Sequence, residues 1–395
     1  MRITPQQAIA RLQPQGKKKA KGAKAIELID TIGVAEDDVY IFGNSDGRIL
    51  VPADDSIPIL GTWDGKGGEI PPALRDWLYE YASEIEWWQR VGETLETPTH
   101  TQTKAPKVPR ESVAVMLETK WSQKAPYNDM CIFNGKRCAT GCTATAAAQI
   151  IKRWGDLGYH RGCKPTDAYV TSTNGYEVAA LPSKMVFDYK NLVVSPKTAA
   201  QKQAVAELMA YLGRTLHSNY TPSSTGAFIK DLVTQLRDNF RMGSMINYIV
   251  ATKVGLKAFE NYIYNDILQG KPVIVGGHLD VGNGGHAFVL DGYDAELDLY
   301  HVNWGWGSYD GWFKITALNA TKSYAFNSNK EAIIGIQPEY KWGDVNGDGE
   351  VDIADAMQVV QAIQSGDNDA RYDINYDGKV TITDAQIIIN KVLGK

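Results

Sequence analysis

The chain has 395 residues, 44% hydrophobic and 22% charged, with a formal net charge of −5. That is the balance of a folded globular protein of two or three domains, not of a disordered one. So mild a charge, with no basic stripe, gives no footing for nucleic-acid binding, and no apolar run approaches the ~18 residues of a membrane span.

Residues 1–98 read as a small α+β unit. A helix from Thr4 to about Leu12 leads into a lysine-rich stretch (Lys17, Lys18, Lys19, Lys21, Lys24), expected to be solvated. Two strands, VYIFG and RILVP, are parted by the turn-former Asn44-Ser45-Asp46-Gly47. Pro71-Pro72 opens a helix whose Leu74, Trp77, Leu78, Tyr81, Ile85 and Trp88 form one apolar stripe. Residues 99–110, THTQTKAPKVPR, have no hydrophobic period and read as an exposed linker, where proteolysis concentrates. Cleavage is expected near Lys104, Lys107 or Arg110.

Residues 111–338 form the largest unit. Helices are expected over Cys142 to Trp154, Ala199 to Leu216 and Gly226 to Phe240. Strands follow: PVIVGG, HAFVLDGY, LYHVNW, GWFKI and AIIGI. Helices first and antiparallel strands after argue for an α+β domain over a βαβ fold.

Residues 339–395 contain a repeat. DVNGDGEVDIADAMQVVQAI and DINYDGKVTITDAQIIINKV align position for position, each a loop running into an apolar helix. Calcium needs six to eight oxygens around a tight loop. The first copy offers Asp344, Asn346, Asp348, Asp352 and Asp355 at loop positions one, three, five, nine and twelve, with the carbonyl of Glu350 at seven and Gly349 at the turn. The second offers Asp373, Asn375, Asp377, Thr381 and Asp384, with the carbonyl of Lys379 and Gly378. An ordinary EF-hand has Glu at position twelve and a helix before each loop. Both copies here have Asp and no such helix, and the segment resembles the dockerin family. That resemblance implies two calcium ions and, as partner, a cohesin domain on a scaffold protein of cellulosome type. It also implies that loop positions ten to twelve (Ile353, Ala354, Asp355 and Ile382, Thr383, Asp384) and the following helix face the cohesin. A purely structural calcium module is the competing reading.

The strongest chemical signal is ATGCTATAAAQIIKRW, which places Cys142 after a glycine at the start of a helix. A thiolate there is stabilised by the dipole and the unpaired N–H groups of the helix N-terminus. Of the other cysteines, Cys131, Cys138 and Cys163, one pair could form a disulfide, or all could stay reduced. GNGGHAFVLDGYD places His286 at the head of an apolar strand, and HVNWGWG supplies Asn303 and Trp304 on the next strand. A nucleophile, a base, and a third group that orients the base form the general logic of such sites. His278, in the preceding loop with Asp280, is a rival base, but GGHAFV favours His286.

With QKAPYN, AELMAYLG, NYTPSS and GIQP in the same order, residues 113–338 resemble the streptopain family of papain-fold cysteine peptidases. The resemblance implies an endopeptidase in which Cys142 attacks the peptide carbonyl and His286 protonates the leaving amine. Gln123 would serve the oxyanion hole with the Cys142 N–H, Asn303 or Trp304 would hold the imidazole, and Gly285 and Gly226 would meet the substrate. The family position matching Gly226 can carry serine, so subsite contacts can differ. VPADDSIPILGTWDGKGGEIPPALRDWLYEYASEIE resembles the family's inhibitory prodomain.

The reading is therefore an α+β prodomain (1–98), a linker with the activation site (99–110), a papain-like peptidase domain (111–338) and a small all-α calcium-binding dockerin (339–395). The whole is a secreted or scaffold-associated zymogen. The opening MRITPQQAIARLQ has no leader pattern, so a signal peptide is expected to have been trimmed from this sequence. Two alternatives keep the residues and change the role: a Cys–His acyltransferase or transglutaminase, and a non-catalytic binding module on the scaffold.

Overall fold

The computed structural model describes residues 1–12, 25–64, 69–92, 109–160, 162–184, 186–277, 285–317, 330–338, 342–348, 350–368, 372–375 and 379–394. Helix α1 (Pro5–Arg11) starts at a capping box: Thr4 accepts the Gln7 N–H, and Gln7 reaches back to the Thr4 N–H. Strands β1 (Glu27–Gly33), β2 (Asp37–Gly43), β3 (Arg48–Pro52) and β4 (Gly61–Trp63) pair as an antiparallel meander. Helix α2 (Pro72–Trp87) buries Leu74, Trp77, Leu78, Tyr81 and Ile85, then closes in a π turn over Trp88–Gly92. Trp88, the first residue of that turn, is half-buried and packs against the same core.

The hairpin of β5 (Ile132–Phe133) and β6 (Lys136–Arg137) turns on Asn134 and Gly135, both at positive φ (48° and 73°), the backbone an Asn-Gly turn provides. Helix α3 (Cys142–Asp156), the short pair β7 (Tyr169–Val170) and β8 (Glu177–Val178), and α4 (Ala199–Thr215) follow. The single helix expected over Gly226 to Phe240 is instead a 3₁₀ turn (Ile229–Asp231), a short α5 (Leu232–Thr234) and a π turn (Gln235–Asn239). Ile229, Val233 and Thr234 are weak helix formers, and no side chain caps the N-terminus of any of the three pieces. Next come β9 (Asn247–Val250), α6 (Ala251–Val254), α7 (Leu256–Leu268), β10 (Val273–Gly277), β11 (His286–Asp294), β12 (Leu299–Asn303), β13 (Gly311–Phe313) and β14 (Glu331–Ile334). Helices α8 (Ile353–Ser365) and α9 (Ile382–Val392) each follow one copy of the repeat.

The chain divides into two compact units, Met1–Met116 with Tyr248–Ile334 and Leu117–Asn247 with Gly335–Lys395. In the first, one sheet runs β1-β2-β3-β4-β13-β12-β11-β10-β14-β9. The N-terminal meander thus continues into the later strands through a seam of three residue pairs, Gly61↔Phe313, Thr62↔Trp312 and Trp63↔Gly311. Glycine is required at the seam, since a Cβ on Gly311 would lie 2.3 Å from the Thr62 carbonyl oxygen. Helix α2 packs its aromatic stripe on this sheet, with Trp77 edge-on to Phe288 and Trp304; burying each such ring contributes roughly 1.5–3 kcal/mol. Three polar side chains of α2 also bond to the later segment. Glu80 pairs with Lys330, the Tyr81 hydroxyl donates to the Lys314 carbonyl, and buried Glu84 accepts the Ala317 N–H at 2.7 Å.

In the second unit α3 lies against α4 and buries Ala144, Ala146, Ala147, Ala148, Ile150 and Ile151. The repeat has its own small core of Val345, Ala356, Val359, Ala362, Tyr372, Ile374, Ala385 and Ile388. Arg241 donates to the Asp348 carbonyl of the first repeat loop at 2.7 Å.

Candidate active site and calcium loops

Cys142 is the first residue of α3. Gly141 before it holds φ at +92°, and a Cβ there would come within 3.1 Å of the Thr225 carbonyl oxygen, so that position takes glycine. No side chain caps α3, and the positive end of a helix dipole favours a thiolate or an oxyanion beside it. The Thr140 N–H donates to the Gln123 carbonyl at 3.2 Å, and the Thr143 hydroxyl to the Ala227 carbonyl at 3.1 Å. The strands of chain carrying half-buried Gln123 and exposed Gly226 are thereby tied to either side of Cys142. All four cysteines are free thiols, so the disulfide alternative is not realised. Burial pushes the Cys131 thiol up to about 11 and Cys163 up to about 12, and it also raises Cys138. Those three are inert core residues at neutral pH, whereas Cys142 is partly exposed at a helix N-terminus.

His286 is the first residue of β11 and is half-buried. Its Nε2 lies 2.9 Å from the Trp304 carbonyl oxygen. That acceptor fixes the proton on Nε2 and leaves Nδ1 as the ring nitrogen for proton exchange. The imidazole stacks on Trp306 at 4.3 Å between centroids, and Trp306 stacks in turn on Trp304 at 5.3 Å. Of the two residues expected to hold the ring, Trp304 bonds it through its backbone. Asn303 is buried with its Oδ1 accepting the Gly305 N–H at 3.1 Å, which shapes the turn presenting both tryptophans. Gly285 is exposed just ahead of His286. His278 and Asp280 lie outside the described residues, as do Lys104 and Lys107.

In the repeat, the loops curl around their own oxygens. Asp344 accepts the Gly347 N–H, Asn346 the Asp348 N–H and Asp348 the Glu350 N–H, at 2.7–2.8 Å. Asp355, fully buried, accepts the N–H groups of Asn346 and Asp352 at 3.0 and 2.9 Å. Asp384, also fully buried, accepts those of Ile374, Asn375 and Thr381 at 2.8–3.2 Å. The expectation that position twelve faces a partner is thus corrected. These two carboxylates turn inward because the loop backbone needs them, while Ile353 and Ile382 are 55% and 66% exposed. Among the described residues, no three His, Cys, Asp or Glu side chains converge on one point; Asp377, Gly349 and Gly378 lie outside them. The donor set nevertheless fits a hard cation: it is all oxygen, carboxylate and amide, and the side chains of Glu350 and Lys379 are exposed, as befits positions that offer carbonyls.

Residues 121–313 match the peptidase C10 family, and residues 342–393 the dockerin type I domain. Streptopain of Streptococcus pyogenes is 30% identical over 340 residues, covering 76% of this chain and 81% of streptopain. The chain belongs to the peptidase C10 family, that of streptopain. A thiol protease/hemagglutinin of Porphyromonas gingivalis is 26% identical over 330 residues, 76% of this chain and 37% of that protein. A fragment of Prevotella intermedia prointerpain A, a cysteine-to-alanine mutant, superposes with a TM-score of 0.62 at 26% identity, over 80% of this chain and 100% of the fragment. Active interpain A superposes with a TM-score of 0.50 at 29% identity, over 57% of this chain and 95% of its own. The C10 domain therefore has the papain-like fold, preceded by a prodomain-like segment and followed by a dockerin, a class of module that binds calcium.

Two features of this C10 chain escaped the sequence reading. Trp306, the residue stacked on His286, sits in the GWG run, and only its spacing from Trp304 hinted at a shared role. Glu80 and Glu84 fall outside the apolar stripe that the sequence shows on this helix.

Proposed function

We propose that this C10 chain is a secreted cysteine endopeptidase, made as a zymogen and carried by its dockerin to a cohesin-bearing scaffold of cellulosome type. The observation that carries the catalytic reading is the imidazole of His286, held through Nε2 by the Trp304 carbonyl and stacked on Trp306, with Nδ1 left for proton exchange. In the proposed mechanism the Cys142 thiol gives its proton to Nδ1. The thiolate adds to the scissile carbonyl, and the oxyanion is received by the Cys142 N–H and the Gln123 side-chain amide. Collapse expels the amine, which takes the proton from His286, and leaves a thioester. Water, deprotonated by His286, hydrolyses the thioester and restores the thiol. Asn303 and Trp304 position the ring, and Gly285 and Gly226 give the substrate backbone close approach.

Residues 1–98 would act as the inhibitory prodomain, joined by 99–110 to the peptidase domain at 111–338. In support, Ala73, Asp76, Trp77 and Glu80 line one cavity with Gly277, His286, Phe288 and Trp304, so α2 stands on the histidine wall. The activating cut is expected before Arg110. That guanidinium is held by Glu260 at 2.6 Å and Asn261 at 2.9 Å, and it lies over the Tyr264 ring, a poor posture for a scissile residue.

The dockerin at 339–395 would bind two calcium ions. One would be held by Asp344, Asn346, Asp348, Asp352, Asp355 and the Glu350 carbonyl. The other would be held by Asp373, Asn375, Asp377, Thr381, Asp384 and the Lys379 carbonyl. Exposed Ile353, Met357 and Ile382 offer apolar anchors to a cohesin.

The deciding experiment follows intact mass over time, with calcium and a mild reductant, beside a Cys142→Ala control. Loss of about the first hundred residues in the wild type alone supports the reading. If both stay whole, the N-terminal segment is removed with added trypsin and a casein assay is run; no Cys142-dependent hydrolysis there rejects the peptidase reading.

A further inference from the structure

Lys330 is 2% exposed, an unusual place for an ammonium. It pairs with Glu80 of α2 and lies over the Trp77 ring at 4.7 Å. Both covering residues belong to the N-terminal segment that activation would remove. The sheet register shows what lies beneath them. Gly277 is directly opposite His286, and Gly276 is opposite Glu331 on the far side. Lys330, the residue before Glu331, therefore continues the row His286, Gly277, Lys330 across three neighbouring strands. Two strand spacings put its backbone about 10 Å from that of His286.

The middle of the row is glycine, and the space above it holds Glu80: a Cβ on Gly277 would lie 3.3 Å from Glu80 Oε1 and 3.6 Å from Trp77. Trp304, lining the same cavity, has its indole N–H buried with no acceptor among the described residues. The precursor thus lays one carboxylate along a wall that offers a cation, an open glycine and an N–H donor.

Resting on the peptidase reading above, we propose that Lys330 is a specificity-determining residue of the mature enzyme and selects an acidic side chain in the substrate. Loss of α2 removes the carboxylate that Lys330 holds, and a substrate Glu or Asp takes its place. The side of the scissile bond follows from the chemistry. His286 delivers its proton to the leaving amine, so residues C-terminal to the bond run along the histidine wall toward Lys330. The preference is for Glu or Asp at the first or second residue after the cut, and Glu80 is its internal surrogate.

The test uses the activated full-length protein and fluorogenic peptides that differ only in Glu or Gln at those two positions. A charge-assisted bond predicts kcat/KM about tenfold higher for the Glu peptide. Lys330→Gln should bring the ratio close to one. Lys330→Glu should reverse the order in favour of a Lys peptide. A wild-type ratio near one overturns the proposal without need of any variant, and so does a ratio that survives Lys330→Gln. If neither peptide is cut although Cys142 takes a thiol-directed probe, the peptidase reading falls and this inference with it. Cutting without discrimination sinks this inference alone.

Discussion

The segments around Cys142 and His286, the two halves of the proposed site, are built by different means. The cysteine half is backbone work: a glycine at φ +92°, an uncapped helix N-terminus and alanines that let neighbours approach. The histidine half is side-chain work, in which a carbonyl fixes one ring nitrogen while Trp304, Trp306 and Phe288 box the imidazole. Backbone-built positions fail abruptly when a Cβ is added, whereas an aromatic box should loosen by degrees.

Four experiments would break or sharpen that contrast. Cys142→Ala should lower the mature enzyme's kcat/KM by about 10⁴ or more, since the nucleophile acts as a unit with its base; a smaller loss in a peptide assay would place the chemistry elsewhere. Next is alkylation by iodoacetamide at pH 7.5, read by peptide mass. Burial holds the thiols of Cys131 and Cys163 near 11 and 12, so their thiolate fraction at that pH is below about one in a thousand. Cys142 should react at least about a hundredfold faster, and raising the pH toward 9 should not close the gap; equal labelling of all four would contradict the burial. Gly141→Ala should cost about 1–3 kcal/mol for the left-handed backbone alone, visible as a lower melting temperature together with lost activity. A variant with wild-type melting and turnover would mean that the turn tolerates a Cβ. Trp306→Ala removes one stacking partner worth about 0.5–1.5 kcal/mol. It should reduce kcat up to about tenfold and leave KM and melting little changed, whereas a total loss would make the box as brittle as the backbone half.

This division also decides what the sequence could disclose. The local geometry at Gly141, Cys142 and His286 was legible in short runs, as was that of the repeat loops, because it is set within a few residues. The Asn134-Gly135 turn was equally local and could have been read. Residues acting across hundreds of positions were not legible. Glu84 sits on a helix as if for solvent, yet it is buried on the Ala317 N–H, and nothing near Lys330 names Glu80 as its partner. The three-pair seam at β4 and β13 is too short to leave a pattern, and a lone GTW or GWF triplet carries no register of its own. The broken segment after Gly226 misled because its apolar spacing is helical, while its β-branched residues and uncapped start are not.

That seam has one more consequence. In the full chain β13 is an interior strand; without the N-terminal meander it would become the rim of the sheet, with N–H and C=O groups unpaired along Gly311–Phe313. Maturation would therefore create a fresh adhesive border on the enzyme. At three residues, begun by a glycine, that border is among the shortest a sheet can present, and brevity is one of the ways proteins keep exposed rims from recruiting other chains.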